Sequence, residues 1–351
     1  MEVQLHELDP HGDVVLELDT RKDAITKDQD DLELEKIDAP GEQVDASLDD
    51  RHEDEPERFK NTLLTEDMYG STSQRALPKI RFRVSSRHLI IASRYFERRL
   101  KKCWPEGHTL HSQGYVEIPV TDCDPEAFLI LLNIIHGHTR RVPRSLDVES
   151  LTKLAALVDY YECHEAVEVF SDMWIDRLKD NVAKSYSRDL IRWLCISWVF
   201  RKSEIFNNVT RIAQCQSKGR IQQLGLPIPK HVIDEIDQTR RASIDRILSH
   251  LYNRWEDLHD GRAHCSFECD SIRLGALTIQ MKSCGLFPRP AHPFRGFSVR
   301  DILKSVRNFR SPTWQKERHE GPHPCGILPD IDTVMQTIEK EMCGLSPASF
   351  L

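Results

Sequence analysis

Lys79-Ile80-Arg81-Phe82-Arg83-Val84-Ser85-Ser86-Arg87-His88-Leu89-Ile90 changes its hydrophobic period half-way along. Basic and apolar residues alternate over 79–84, as in a strand with one buried face. From Ser85-Ser86, which reads as a helix cap, the apolar positions Leu89, Ile90, Ala92, Tyr95, Phe96 and Leu100 recur at helical spacing. A strand feeding directly into a helix predicts an α+β unit.

Upstream, Gly12 to Leu18 is a short apolar run after a Pro-His-Gly turn and reads as the first strand, leaving 1–11 as an N-terminal tail. Downstream, Tyr115-Val116-Glu117-Ile118-Pro119-Val120 reads as another strand, with its proline at an edge or an end. Asp124-Pro125-Glu126 then combines an N-cap, a proline in the first turn and a carboxylate at the positive helix end. Phe128 to Ile135 is apolar nearly all round, which predicts a buried helix, and Gly137 stops it. Stripes at Leu151, Leu154, Leu157 or Val158 and Tyr161, and at Val167, Phe170, Trp174 and Leu178, read as core. The core residues expected are Leu89, Phe96, Phe128, Leu132, Leu154 and Trp174. Residues 181–260 stay helical in pattern, and 261–351, rich in Cys, His, Pro and Gly, read as a smaller irregular region. No repeat of 20–50 residues is visible.

The whole chain has 351 residues and a net charge of −8, unevenly spread. Residues 19–77 hold 18 Asp/Glu against 8 Lys/Arg and few aromatics, which predicts an acidic disordered insertion. The rest of the chain balances at +2, with no bulk excess of positive charge to draw a phosphate backbone, so nucleic acid is an unlikely partner. No apolar run approaches the ~18 residues a membrane span needs. Met1-Glu2-Val3-Gln4 does not open a secretory signal, so a cytoplasmic or nuclear location is expected, with ten cysteines in reducing surroundings.

Phe82-Arg83-Val84-Ser85-Ser86-Arg87-His88-Leu89, with Ala92-Ser93-Arg94-Tyr95-Phe96, resembles the core of BTB/POZ domains. Asp124-Pro125-Glu126-Ala127-Phe128, Leu131 to Gly137 and Val158-Asp159-Tyr160-Tyr161-Glu162-Cys163 resemble the fungal branch of that family. Leu226-Pro227-Ile228-Pro229 and Cys269-Asp270-Ser271-Ile272 resemble its C-terminal extension. The resemblance implies a mostly helical α+β fold: a small sheet with a helix cluster over 78–180, completed by strand 12–18, then a helical extension. It implies a non-enzymatic protein-interaction adaptor. Two departures stand out. Roughly 60 residues separate the first two strands. Only about a dozen residues precede Asp13, too few for the N-terminal helix that many animal members exchange, so homodimerisation is left open.

Some members bind the cullin scaffold of ubiquitin ligases through an apolar-x-Glu signature, and Trp104-Pro105-Glu106 occupies a comparable place. Trp104 and Glu106 are therefore the candidate protein-binding residues, against a reading in which Trp104 only covers the helix cluster. Cys265-x3-Cys269, with His323-Pro324-Cys325, makes a Cys3His set suited to a structural zinc ion, against a reading as separate thiols. A zinc-containing transcription regulator touching DNA through its C-terminal region is the alternative function. His319-Glu320-Gly321-Pro322-His323 spells a zinc-protease motif, but Gly321 and Pro322 oppose the helix that chemistry requires. No phosphate-binding glycine loop or nucleophile elbow is present, and Cys163 reads as a junction filler.

Overall fold

A computed structural model describes residues 3–18, 79–263, 265–314, 325–328 and 331–350. The acidic segment 19–77, His323 and the His319–His323 motif lie outside the described residues.

The fold is α+β and mostly helical, with a four-stranded sheet ordered β1-β3-β2-β4. The strands are β1 (Val3–Glu7), β2 (Val14–Leu18), β3 (Lys79–Val84) and β4 (Val116–Val120). β2 runs antiparallel to β3, and β1 runs parallel to β3 at the edge. The expectation that 1–11 is a tail is therefore corrected: 3–7 form a strand, and 12–18 supply the second strand. The β1 signal is hard to read because its polar residues alternate with few apolar ones, and pairing with β3 supplies the order that its own pattern does not.

The alternation in β3 is realised: Ile80, Phe82 and Val84 are buried, while Lys79, Arg81 and Arg83 face outward. The outward cations meet acids on the two neighbouring strands and on β4 beyond. Arg81 donates to Glu17 at 2.7 and 3.0 Å and reaches Glu117 at 3.4 Å, Lys79 pairs with Glu17, and Arg83 pairs with Glu7. A basic strand between acidic ones helps set the order of the sheet, since like charges directly opposite would repel. Pro119 lies on β4, an edge strand bonded only to β2, where its missing N–H breaks no ladder.

The run from Ser86 to Leu100 does not form one helix. α1 (Ser86–Ala92) and α2 (Arg94–Arg99) are separated at Ser93, whose backbone is extended. Buried Ser93 donates to the Tyr161 carbonyl at 2.5 Å and accepts from the Phe96 amide, re-starting the helix at an angle. Ser85 makes no side-chain cap either. The first turn of α1 is instead capped by Asp13, which accepts the Ser86 N–H at 2.7 Å and the Ser86 hydroxyl at 2.6 Å.

α3 (Pro105–Gln113) precedes β4; α4 (Pro125–Ile135), α5 (Val148–Tyr160) and α6 (His164–Leu178) then cover the sheet. Asp124 caps α4 as expected, accepting from the Glu126 and Ala127 amides at 3.1 and 3.0 Å. Gly137 stops it at φ +71°, in the left-handed region. Leu89, Phe96, Phe128, Leu132, Leu154 and Trp174 are all buried. At the end of α4, His136 accepts the Ser85 amide at Nε2 (3.0 Å) while its Nδ1 pairs with the Leu132 carbonyl (2.9 Å), joining α4 to the start of α1. This pattern places the imidazole proton on Nδ1.

α7 (Arg188–Val199) and α8 (Ser203–Gln216) extend the same core, which ends at Ile236 in α9 (Lys230–His259). This 30-residue helix, about 45 Å long at 1.5 Å per residue, carries Val232, Ile233 and Ile236 in one core. Its Ile244, Ile247, Leu248 and Leu251 belong to a second. α10 (Phe267–Ser283), α11 (Val299–Arg307) and α12 (Ile331–Glu341) complete that second core. Among the described residues of 261–351, three helices pack into one core, which corrects the expectation of an irregular region there, and the boundary between cores falls inside α9 and not at 260. An amphipathic helix that buries one stripe against two successive layers offers no local signal of the change. Near the change, buried Arg240 is held by Asp237 (2.9 and 3.1 Å) and by the carbonyls of Pro293, Phe294 and Phe297 at 2.9–3.2 Å.

Candidate functional site

α3 begins against the end of α2, and the local sequence requires this. Buried Gly107 lets the first turn of α3 approach the chain so closely that a Cβ there would sit 1.9 Å from the Lys101 carbonyl oxygen. Pro105 presets the first turn, and the Trp104 carbonyl accepts the His108 amide. Glu106 points back and accepts from Arg99 Nε and Nη2 at 3.1 and 2.9 Å. Arg99 also donates to the Tyr95 hydroxyl and lies 5.7 Å from the centre of that ring. Burial works to raise the Glu106 carboxyl, but its own backbone N–H and the Arg99 guanidinium outweigh this and hold it below the ordinary glutamate range.

Trp104 is left 54% exposed at a cleft of about 370 Å³ lined by Tyr95, Arg98, Arg99, Trp104 and Glu106. Behind the cleft, Tyr95 meets Tyr161 edge-on at 5.2 Å, and Tyr161 stacks on Phe96 at 5.1 Å and lies 5.5 Å from Phe128. The outer wall is therefore anchored in the domain core. The basic run Arg98-Arg99-Lys101-Lys102 is less cationic than its sequence: Arg98 pairs with Glu162, Arg99 with Glu106 and Lys101 with Glu97. Sequence reading missed Tyr95 and Arg99 as members of this face; their spacing of four on one helix, with Glu106 seven residues beyond Arg99, was the available signal.

A second, larger groove of about 720 Å³ runs between α1–α2 and α6–α7, with Ile91 exposed on its rim and Arg94, Glu97, Glu162, Glu165 and Lys202 among its lining. Cys163, buried beside it, is a junction filler whose thiol burial pushes up to about 12.

Far from both, the structure brings Cys265, Cys269 and Cys325 together, with their sulfurs all within 4.8 Å of one another. The group could hold a metal ion. Ser266 caps α10 by accepting from the Cys269 amide (3.2 Å), so Cys269 lies in the first turn and Cys265 just before it. Cys325 lies 3.7 Å from Cys265, sulfur to sulfur, and none of the ten cysteines is in a disulfide. Burial first, then the neighbouring thiols, pushes the Cys269 thiol up to about 12. Buried Arg273 fixes the segment that carries Cys325, donating to the Gly326 carbonyl at 2.7 and 3.1 Å while pairing with Asp270. The expected fourth ligand, His323, lies outside the described residues.

The site combines a small sheet, a cluster of short helices and an aromatic side chain presented where α2 meets α3. Residues 75–178 match the family model of the BTB/POZ domain. The chain therefore carries a BTB/POZ domain, and the structure adds β1 and β2, which precede the matched residues, to the same sheet. No curated protein and no solved structure matches the chain. Among the described residues, no helix is long and apolar enough to cross a membrane.

Proposed function

We propose that this chain is a non-enzymatic adaptor that presents the α2–α3 face of its BTB/POZ domain, with Trp104 as anchor, to a cullin-type scaffold. It would serve there as the substrate-bearing part of a ubiquitin ligase. The observation that carries this reading is the exposed Trp104 on a rigid mount. Pro105, Gly107 and the Glu106–Arg99 pair fix the backbone that carries the ring before any partner arrives, so little backbone freedom is lost on binding. Tryptophan and arginine beside a small pocket are the residue types on which interface energy concentrates. Glu106, engaged by Arg99, acts here as the positioning residue for the segment that carries the tryptophan.

The test is calorimetric titration of the purified chain with the N-terminal domain of a cullin. Binding by the wild type, weakened tenfold or more in Trp104→Ala, supports the reading. Absence of binding by the wild type, or equal binding by both, overturns it.

A further inference from the structure

We propose that Cys265, Cys269 and Cys325 bind a zinc ion that ties the start of α10 to segment 325–328. Three sulfurs from two parts of the chain, fifty-six residues apart between Cys269 and Cys325, converge within 4.8 Å. A tetrahedral zinc with bonds of about 2.3 Å to thiolates separates its sulfurs by about 3.8 Å. The Cys265–Cys325 separation is 3.7 Å, close to that spacing and far from the ~2.05 Å of a disulfide.

Core filling does not account for the group. Cys269 is buried, but Cys265 is exposed and Cys325 half-buried, so the cluster opens to solvent on one side. That opening gives the ion an entry path and room for a fourth nitrogen or oxygen donor. Three thiolates around a dication leave one net negative charge. It would sit at the positive end of the 17-residue α10. Arg273 holds the Gly326 carbonyl, next to Cys325, in the manner of groups that orient metal ligands from behind.

Soft sulfur donors select zinc, copper(I) or iron–sulfur clusters. Iron–sulfur clusters are held by four cysteines as a rule, and the described residues bring three together here. Zinc, with no redox chemistry and no geometric demand on the fourth donor, fits such a site in a structural role.

The experiment uses the full chain, purified under reducing conditions without chelator. Elemental analysis is expected to find stoichiometric zinc, and the double variant Cys265→Ser with Cys325→Ser to lose it while keeping its helical circular dichroism. The stripped wild type, reloaded with cobalt(II), is expected to show thiolate-to-cobalt charge transfer and the intense visible bands of a tetrahedral site. The cobalt spectrum decides the matter should the double variant fail to fold. Absence of zinc together with absence of those bands overturns the proposal. So does copper in place of zinc, zinc retained in the folded double variant, or a Cys265–Cys325 disulfide in the reduced preparation. None of these results bears on the Trp104 face, which is measured with a different partner.

Discussion

Asp13 caps the helix that Ser86 opens, although 73 residues separate them: one carboxylate oxygen accepts the Ser86 N–H at 2.7 Å and the other its hydroxyl at 2.6 Å. The pair fastens β2 to the first helix of the domain, next to Gly12, where a Cβ would meet the Val84 carbonyl oxygen at 2.6 Å. Asp13→Ala leaves both donors without their acceptor and is expected to lower stability by about 1–2 kcal/mol, the range for losing a helix N-cap. Urea denaturation monitored by tryptophan fluorescence checks it, and an unchanged midpoint would show that the cap is dispensable.

Trp104→Ala removes a mostly exposed ring, so its effect on stability is expected to stay within about 0.5 kcal/mol. Gly107→Ala behaves differently, since the new methyl meets the Lys101 carbonyl and the first turn of α3 must move. A loss of about 1–3 kcal/mol is expected there. The contrast between the two melting curves separates a docking residue from the backbone that mounts it.

Arg240 is only 1% exposed and spends its donors on Asp237 and three carbonyls. Arg240→Ala leaves Asp237 with Arg241 at 3.0 Å as its remaining cation and strands the three carbonyls, and is expected to cost about 2–3 kcal/mol. Arg240→Met together with Asp237→Leu should recover part of the loss, because it removes the buried pair and leaves only the partly exposed Arg241 without its carboxylate. A double variant as unstable as Arg240→Ala would mean that the carbonyl contacts carry the effect.

Stability should fall on mild acidification. Burial holds His136 below the ordinary histidine value of 6.5, and burial does the same to His164. Near pH 6.5 the unfolded chain takes up these protons while the folded chain still excludes them. The contribution is therefore complete above about pH 6.5 and is lost progressively as pH falls toward the lower folded values. Protonated His136 can no longer accept the Ser85 amide at Nε2. Melting temperatures measured between about pH 7.5 and 5.5 should decline, and His136→Gln should flatten part of the slope; a flat wild-type profile would refute the assignment.

Removing the proposed zinc should loosen one end of the second core and spare the first. Hydrogen exchange after chelation is expected to speed up tenfold or more in the first turn of α10 and at 325–328, with α4 unchanged. Uniform protection in both states would deny the ion a structural role.

Much of this was legible in the residues themselves. The alternation of Lys79 to Val84, the Asp124-Pro125 cap, the Gly137 stop and the apolar stripes through Phe128, Leu154 and Trp174 are local patterns. Backbone sterics and the 2.0 and 3.6 periods turn such patterns into elements without reference to the rest of the chain. The Cys265–Cys269 pair was legible as two nearby thiols, although Cys265 lies before the helix and the two do not share a helical face. What the sequence could not decide were pairings between segments: that Asp13 and not Ser85 caps α1, that Ser93 breaks a helix to reach Tyr161, that β1 joins the sheet. Nor could it show that Glu106 spends its carboxylate on Arg99, that Cys325 reaches Cys265, or that α9 serves two cores. Those depend on which surfaces meet when the chain collapses, and no local period carries that information; burial then forces each polar group to find its partner wherever the tertiary structure has put one.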